Sequence, residues 1–166
     1  MYWVKQDETR RLAIAPRPRG DDWLRDELLL YRSQGIEHLV STLTRWEIPD
    51  LGLSAEDQTC ERCGLKLHRF SIEDQGVPDS MLAAHAFLSP LLAFAQQGKG
   101  VAFHCRSGLG RAPLLLGALL VMDGWRPDDV WPALSDARQA RVPENDDQRA
   151  WLFDFSDMLL AMRGSL

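Results

Sequence analysis

Three cysteines in 166 residues are too few, and odd in number, to staple a fold with disulfides. A disulfide-rich secreted scaffold is thereby excluded, and a reducing cytoplasm is the expected compartment. The longest apolar run, Ala112 to Met122, is too short to cross a bilayer. The opening Met1-Tyr2-Trp3-Val4-Lys5-Gln6-Asp7 lacks the apolar core of a secretory signal, and the closing Arg163-Gly164-Ser165-Leu166 lacks a cysteine for prenylation. Basic residues do not dominate: 19 Lys and Arg against 24 Asp and Glu leave a net charge of −5. That balance argues against a nucleic-acid footprint. No repeat, low-complexity tract or linker interrupts the chain, so residues 1–166 read as a single domain without membrane or nucleic-acid partners. An apolar content of 45% with 26% charged residues suits a globular domain with its own core.

Against these absences one stretch stands out: His104-Cys105-Arg106-Ser107-Gly108-Leu109-Gly110-Arg111. The apolar Val101-Ala102-Phe103 precedes it, and a long apolar segment follows from Pro113 to Met122. The pattern predicts a buried strand, a tight loop, and a helix starting near Arg111. Such a loop can turn its backbone N–H groups inward, with the positive end of a helix dipole behind them. A tetrahedral oxyanion fits that cradle, and Gly108 and Gly110 are expected to supply positive φ and close backbone approach. Cys105 would lie among donors that stabilise a thiolate, which makes it a candidate nucleophile. Arg111 offers a planar fork for two phosphate oxygens. The chemistry implied is phosphoryl transfer to cysteine, with residues 106–111 binding the phosphate.

The rest of the chain reads as an α/β alternation. Leu12-Ala13-Ile14-Ala15 is a short strand ended by Pro16-Arg17-Pro18-Arg19-Gly20. Asp21 or Asp22 can cap a helix that carries Trp23, Leu24, Leu28 and Leu29 on its apolar face and stops near Gly35. Ile36 to Leu43 is the next strand. Ser54 opens a short helix running to Cys63, with Gly64 as its stop, and Leu65 to Ile72 is a further strand. Ser80 to Gln97 has a helical pattern, but Pro90 predicts a kink or two helices there. Three helices follow the cysteine loop: Ala112 to Met122, Pro127 to Arg138, and Asp146 to Met162. The fold expected is a central, mostly parallel sheet of about four to five strands flanked by helices, with Cys105 at the carboxyl end of a central strand.

His104 to Arg111 resembles the signature loop of the cysteine-dependent protein phosphatases, the tyrosine and dual-specificity superfamily. Gly108-Leu109-Gly110-Arg111-Ala112-Pro113 resembles the phosphatases of regenerating liver in particular. The resemblance implies the same sheet, a helical bundle after the loop, no cofactor and no metal, and a phosphorylated protein or peptide as substrate. It also implies that His104 holds the loop by a buried hydrogen bond. Most members place Ser or Thr after the arginine to help release the phosphoenzyme; Ala112 departs from that pattern and implies slow turnover. Phosphoinositide-directed relatives carry several basic residues in the loop, whereas Arg106 alone lies between Cys105 and Arg111, which favours phosphoprotein.

Expulsion of an alkoxide or phenoxide needs a proton donor. Ser71-Ile72-Glu73-Asp74-Gln75-Gly76-Val77-Pro78-Asp79 supplies carboxylates in a loop marked by Gly76 and Pro78. Asp74-Gln75-Gly76-Val77-Pro78 resembles the acid loop of kinase-associated phosphatases and favours Asp74. Asp79 is the rival, more simply read as a helix cap, and Glu73 points the other way on an extended backbone. Gln148 is a candidate for positioning the hydrolytic water, against the plainer expectation of an exposed early-helix glutamine; Asn145 suits a cap of the last helix.

Other residues have plainer explanations. Cys60-Glu61-Arg62-Cys63 with His68 nearby is one CxxC without a second pair, a weak zinc pattern. A protective disulfide from Cys60 or Cys63 to Cys105 is a second option suggested by related enzymes. His38 and His85 read as ordinary strand and helix positions, and Trp23, Trp46, Trp125, Trp131 and Trp151 as packing groups. Two other functions stay open: a low-turnover module that binds phosphoprotein, and thiol chemistry such as sulfur transfer or arsenate reduction.

Overall fold

A computed structural model describes residues 1–6 and 10–164. Five strands, β1 Tyr2–Gln6, β2 Arg11–Ile14, β3 Ile36–Ser41, β4 Lys66–Arg69 and β5 Gly100–His104, form one sheet in the order β1-β2-β5-β3-β4. All neighbours pair in parallel except β1, which is antiparallel to β2 at the edge. β5 therefore lies in the middle, and its carboxyl end delivers Cys105 between the loops that follow β2 and β3. The α/β class and the mostly parallel sheet agree with the sequence expectation. β1 was not foreseen; its partly buried Tyr2 and Val4 alternate against the core.

The two faces of the sheet are covered by different helices. Leu12, Ile14, Val40, Val101 and Phe103 point to one side, under α4 Met81–Gln96 and α5 Arg111–Met122. The alternate residues Ala13, Leu39 and Ala102 point to the other, under α1 Leu24–Ser33 and α3 Glu56–Arg62. α2 Glu47–Asp50 is a single turn after β3. α6 Pro127–Arg138 and α7 Asp146–Gly164 pack outside α5, which buries every residue from Arg111 to Val121. A helix apolar all round needs such enclosure, so the segment after the cysteine loop becomes the central helix rather than a surface one. Among the described residues no helix is long and apolar enough to cross a membrane.

Several local expectations are corrected. Asp21 and Asp22 make no capping hydrogen bond; with Trp23 they form a 3-10 turn before α1, with Gly20 at its N-cap. Trp23 and Leu29 are exposed, and α1 buries Leu24, Leu28 and Tyr31 instead. Ser80 rather than Asp79 caps α4, accepting from the Ala83 N–H at 3.2 Å. α4 is one continuous helix despite Pro90. Pro90 and Ala86, whose carbonyl loses its partner, are both exposed, so water can satisfy the freed oxygen. Trp131 and Trp151 are core residues, but Trp23 and Trp46 are exposed and stack under Arg19 and Arg45 at 4.5 and 4.2 Å.

Candidate active site

The loop from His104 to Arg111 joins β5 to α5 as expected. Cys105 is 2% exposed, and its Sγ accepts a hydrogen bond from the Gly108 N–H at 3.1 Å. Gly108 adopts φ +73°, the left-handed region that glycine enters without penalty. Gly110 does not: its φ is −116°, contrary to the expectation. It is small for another reason, since a Cβ there would collide with the Glu144 carboxylate and crowd the Gln148 amide. Arg106 and Ser107 are exposed, Leu109 is half-buried, and the Ser107 carbonyl accepts from Arg138 Nη2 at 3.2 Å. Ala112 is fully buried behind the loop and offers no hydroxyl to the sulfur.

Arg111 is among the largest fully buried side chains in the molecule. Its fork is held on both sides. Nη1 donates to Glu47 Oε2 at 2.7 Å and to the Ile72 carbonyl at 3.1 Å, and Nη2 donates to Glu47 Oε1 at 2.9 Å. Nη2 also lies 3.0 Å from Asp74 Oδ1. Burial works against the guanidinium charge, but the Glu47 hydrogen bonds, with Cys105 and Asp74 nearby, raise its pKa above the ordinary value. The same pair, opposed by burial and helped by Thr44, pushes Glu47 down to about 2.

Glu47 was missed in the sequence, although its signal was present. Thr44 and Glu47 form a capping box: Glu47 Oε2 accepts from the Thr44 N–H at 3.0 Å and from Thr44 Oγ1 at 3.1 Å, and the Glu47 N–H donates to Thr44 Oγ1 at 3.4 Å. The Thr-x-x-Glu spacing marks the turn of α2 and aims its carboxylate at the loop.

The structure brings Asp74 to Arg111 and leaves Glu73 and Asp79 exposed without such a contact. The acid loop is braced from the start of α7. Asn145 Nδ2 donates to the Gln75 carbonyl at 2.8 Å, and Gln148 Nε2 donates to the Gly76 carbonyl at 3.1 Å. Asn145 Oδ1 also caps α7 by accepting from the Gln148 N–H at 2.9 Å, as anticipated. Gln148 is fully buried, so the plainer expectation of an exposed glutamine fails. Its Oε1 accepts from the Glu144 N–H at 3.2 Å, and both ends of the amide are thus spent on backbone. That makes it a brace of the acid loop.

His104 is fully buried on the face of β5 away from Cys105. Its Nδ1 lies 3.4 Å from the Cys105 carbonyl, in keeping with a loop-holding role. Its Nε2 lies 3.1 Å from Glu56 Oε1, a neighbour that sequence reasoning missed. Cys60 and Cys63 belong to the core on the α1 and α3 side of the sheet, whereas Cys105 joins the opposite core. The sheet therefore separates the proposed disulfide partners, and burial next to Glu56 and Asp57 pushes the Cys60 thiol up to about 12. His68 turns toward His38, 3.0 Å between ring nitrogens, rather than toward the two cysteines. His38 is accordingly not an ordinary strand position: it is buried, stacks on Phe94 at 4.2 Å, and burial with His68, Lys99 and Lys66 pushes it down to about 4.

A family model described as the polymorphic toxin system DSP-PTPase phosphatase matches residues 15–125, which include the cysteine loop, the acid loop and the whole of α5. The chain belongs to this phosphatase family. Cyclin-dependent kinase inhibitor 3 of Homo sapiens is 26% identical over 132 residues, covering 78% of this chain and 62% of the human protein. A probable protein tyrosine phosphatase type IVA B of Dictyostelium discoideum is 36% identical over 67 residues, covering 39% of this chain and 41% of its own. The chain thus spans less than two thirds of the length of these relatives. A crystal structure of kinase associated phosphatase, with its catalytic-site cysteine replaced by serine, superposes with a TM-score of 0.76 at 24% identity. It covers 90% of this chain and 86% of that one, and it carries the same fold.

Proposed function

We propose that this member of the DSP-PTPase family hydrolyses phosphomonoesters of proteins through a phosphocysteine intermediate. The Cys105 thiolate attacks phosphorus while the bond to the leaving oxygen breaks and Asp74 gives that oxygen its proton. Backbone N–H groups of residues 106–111 and the Arg111 fork hold the equatorial oxygens as charge moves onto them. Water then attacks the phosphocysteine, Asp74 takes the proton of that water, and the S–P bond breaks to restore the thiolate. The observation that carries this reading is convergence. A loop N–H meets the Cys105 sulfur at 3.1 Å, and the candidate acid meets the fork of the same loop at 3.0 Å.

Glu47 keeps Arg111 in place throughout, and phosphate takes over the position of Asp74 on the fork. A free thiol as working group suits a cytoplasm, and the single basic residue inside the loop favours phosphoprotein over polyanionic lipid headgroups. Because Ala112 brings no hydroxyl to the sulfur, the second step is slow, and Ala112→Ser should raise steady-state turnover without changing the first burst. The direct test is phosphate release from phosphotyrosyl and phosphothreonyl peptides without added metal. Release lost in Cys105→Ser and strongly slowed in Asp74→Asn supports the mechanism. Wild type that captures phosphopeptide but never releases phosphate would favour a binding module instead.

A further inference from the structure

The loops that follow β2 and β3 flank the cysteine loop, and each carries an arginine that the chemistry above does not use. The Ala15 N–H donates to the Phe103 carbonyl at 2.8 Å, so the chain runs beside β5 to its end before it reaches Pro16 and Arg17. On the other side Thr42 donates to the His104 carbonyl, from its N–H at 3.0 Å and from Oγ1 at 3.2 Å. Thr44 and Glu47 then close their capping box around Arg45 and Trp46. Because the Glu47 carboxylate grips Arg111, this turn stands at the rim of the phosphate site. The two loops are tied into one arc: the Asp21 N–H donates to the Gly52 carbonyl at 2.9 Å, and Tyr31 of α1 donates its hydroxyl proton to the Pro16 carbonyl. Arg106, exposed in the cysteine loop, comes from the strand between them.

Among the described residues none of Arg17, Arg45 and Arg106 is in an ion pair. Arg17 is half-buried, and its Nε has no hydrogen-bond partner. A guanidinium partly out of water without a counter-charge costs free energy that an incoming carboxylate offsets. Arg45 is exposed and stacks over the Trp46 ring at 4.2 Å, and Trp46 is itself 67% exposed. Stacking occupies the face of the guanidinium and leaves its N–H edge open to an oxygen anion. Arg19, on the same loop as Arg17, is already neutralised by Glu27 at 2.7 Å. Asp21, Asp22 and Asp50 come later in these loops, toward their junction at Gly52, and the exposed Glu73 and Asp79 follow β4. An anionic membrane would be repelled by those acids and by a net charge of −5, whereas an extended peptide can lie along the arginine arc alone.

We propose that Arg17, Arg45 and Trp46 form a rim that selects phosphoproteins whose phosphorylated residue is flanked by Asp or Glu, with the Arg45–Trp46 stack as the main specificity-determining pair. This names the substrate class of the phosphatase reading and rests on it. The probe is a phosphotyrosyl peptide flanked on both sides by glutamate, glutamine or lysine. Wild-type kcat/KM should fall in that order. The glutamate peptide should exceed the glutamine peptide by about tenfold, since each exposed ion pair adds only a few-fold, and added salt should narrow the gap. In Arg17→Gln/Arg45→Gln the two peptides should come within about twofold of each other. Arg45→Gln alone, at an exposed position, should already reduce the gap to about threefold, and it decides if the double variant does not fold. Equal rates on the glutamate and glutamine peptides in wild type, or a gap that survives Arg45→Gln, overturns the proposal. So does tight binding to vesicles of anionic phospholipid with no preference among the peptides, which would assign the rim to a membrane. If wild type hydrolyses none of the peptides, the phosphatase reading fails. The affinities of Cys105→Ser for the same peptides, read by fluorescence anisotropy, then uphold or overturn the rim by the same order.

Discussion

Two segments deliver a carboxylate to the same guanidinium, and they do so in opposite ways. Glu47, from the turn after β3, is 13% exposed, grips Arg111 through both oxygens, and is itself fixed by Thr44. Asp74, from the loop after β4, is 62% exposed and touches Arg111 through one oxygen. Glu47 is built as a permanent clamp, since a bidentate pair with a buried arginine is directional and hard to exchange. Asp74 is held only loosely, since one exposed contact is weak. On the proposed mechanism Arg111 binds a dianion without losing its own orientation, and that needs both kinds of partner. Glu47 would set its geometry, and Asp74 would yield its place to the substrate and become free to carry a proton.

The widest test of the contrast removes the group that both segments serve. Cys105→Ser should lower phosphate release by at least about 10⁴-fold, as loss of a nucleophile does, with the clamp and the acid untouched. Glu47→Gln comes next. Without the clamp the Arg111 fork loses its aim, and kcat/KM should fall about 10²–10³-fold, the range for a lost oxyanion donor, whatever the leaving group. Asp74→Asn should cost about 10²-fold in kcat with phosphothreonyl peptide, but far less with p-nitrophenyl phosphate, whose leaving group needs little help. If both variants showed the same dependence on leaving group, the division of labour would be wrong.

The clamp also has a pH signature. Because Glu47 lies near 2 when folded and near its ordinary 4.5 when unfolded, its pairing stabilises the fold fully above about 4.5. That stabilisation is lost as pH falls from there toward 2. Denaturation midpoints followed across this window should show a slope in wild type that Glu47→Gln reduces and Asp74→Asn leaves largely intact. The smallest effect belongs to a region away from the site. His38, pushed down to about 4, stays neutral in the fold while the unfolded chain takes up a proton near 6.5. Stability should therefore decline as pH falls from 6.5 to 4, and His38→Leu should flatten that decline.

What was legible in the sequence follows the same division. The cysteine loop announces itself because strand, loop and helix are contiguous, and the loop that carries Asp74 is marked by its own glycine and proline, while the preference for Asp74 over Asp79 within it came from the resemblance to kinase-associated phosphatases. The Thr-x-x-Glu spacing marks the turn that carries Glu47, but the partners of Glu47 and Glu56 could not be assigned by spacing, since Arg111 and His104 come from a distant helix and strand that only the sheet order brings together. Gln148 looked like a surface residue because a helix start is usually exposed; packing of α7 against the acid loop buries it. Pro90 looked like a break because propensity ignores whether the orphaned carbonyl can reach water.

The central claim is that phosphate passes through a bond to Cys105. Mixing wild-type protein with excess phosphotyrosyl peptide, quenching in acid within the burst and measuring the intact mass tests it directly. The account predicts a single phosphoryl adduct on Cys105, long-lived because of Ala112, shortened in Ala112→Ser and absent in Cys105→Ser. Phosphate released at full rate with no adduct at any time, or an adduct that survives in Cys105→Ser, would contradict it.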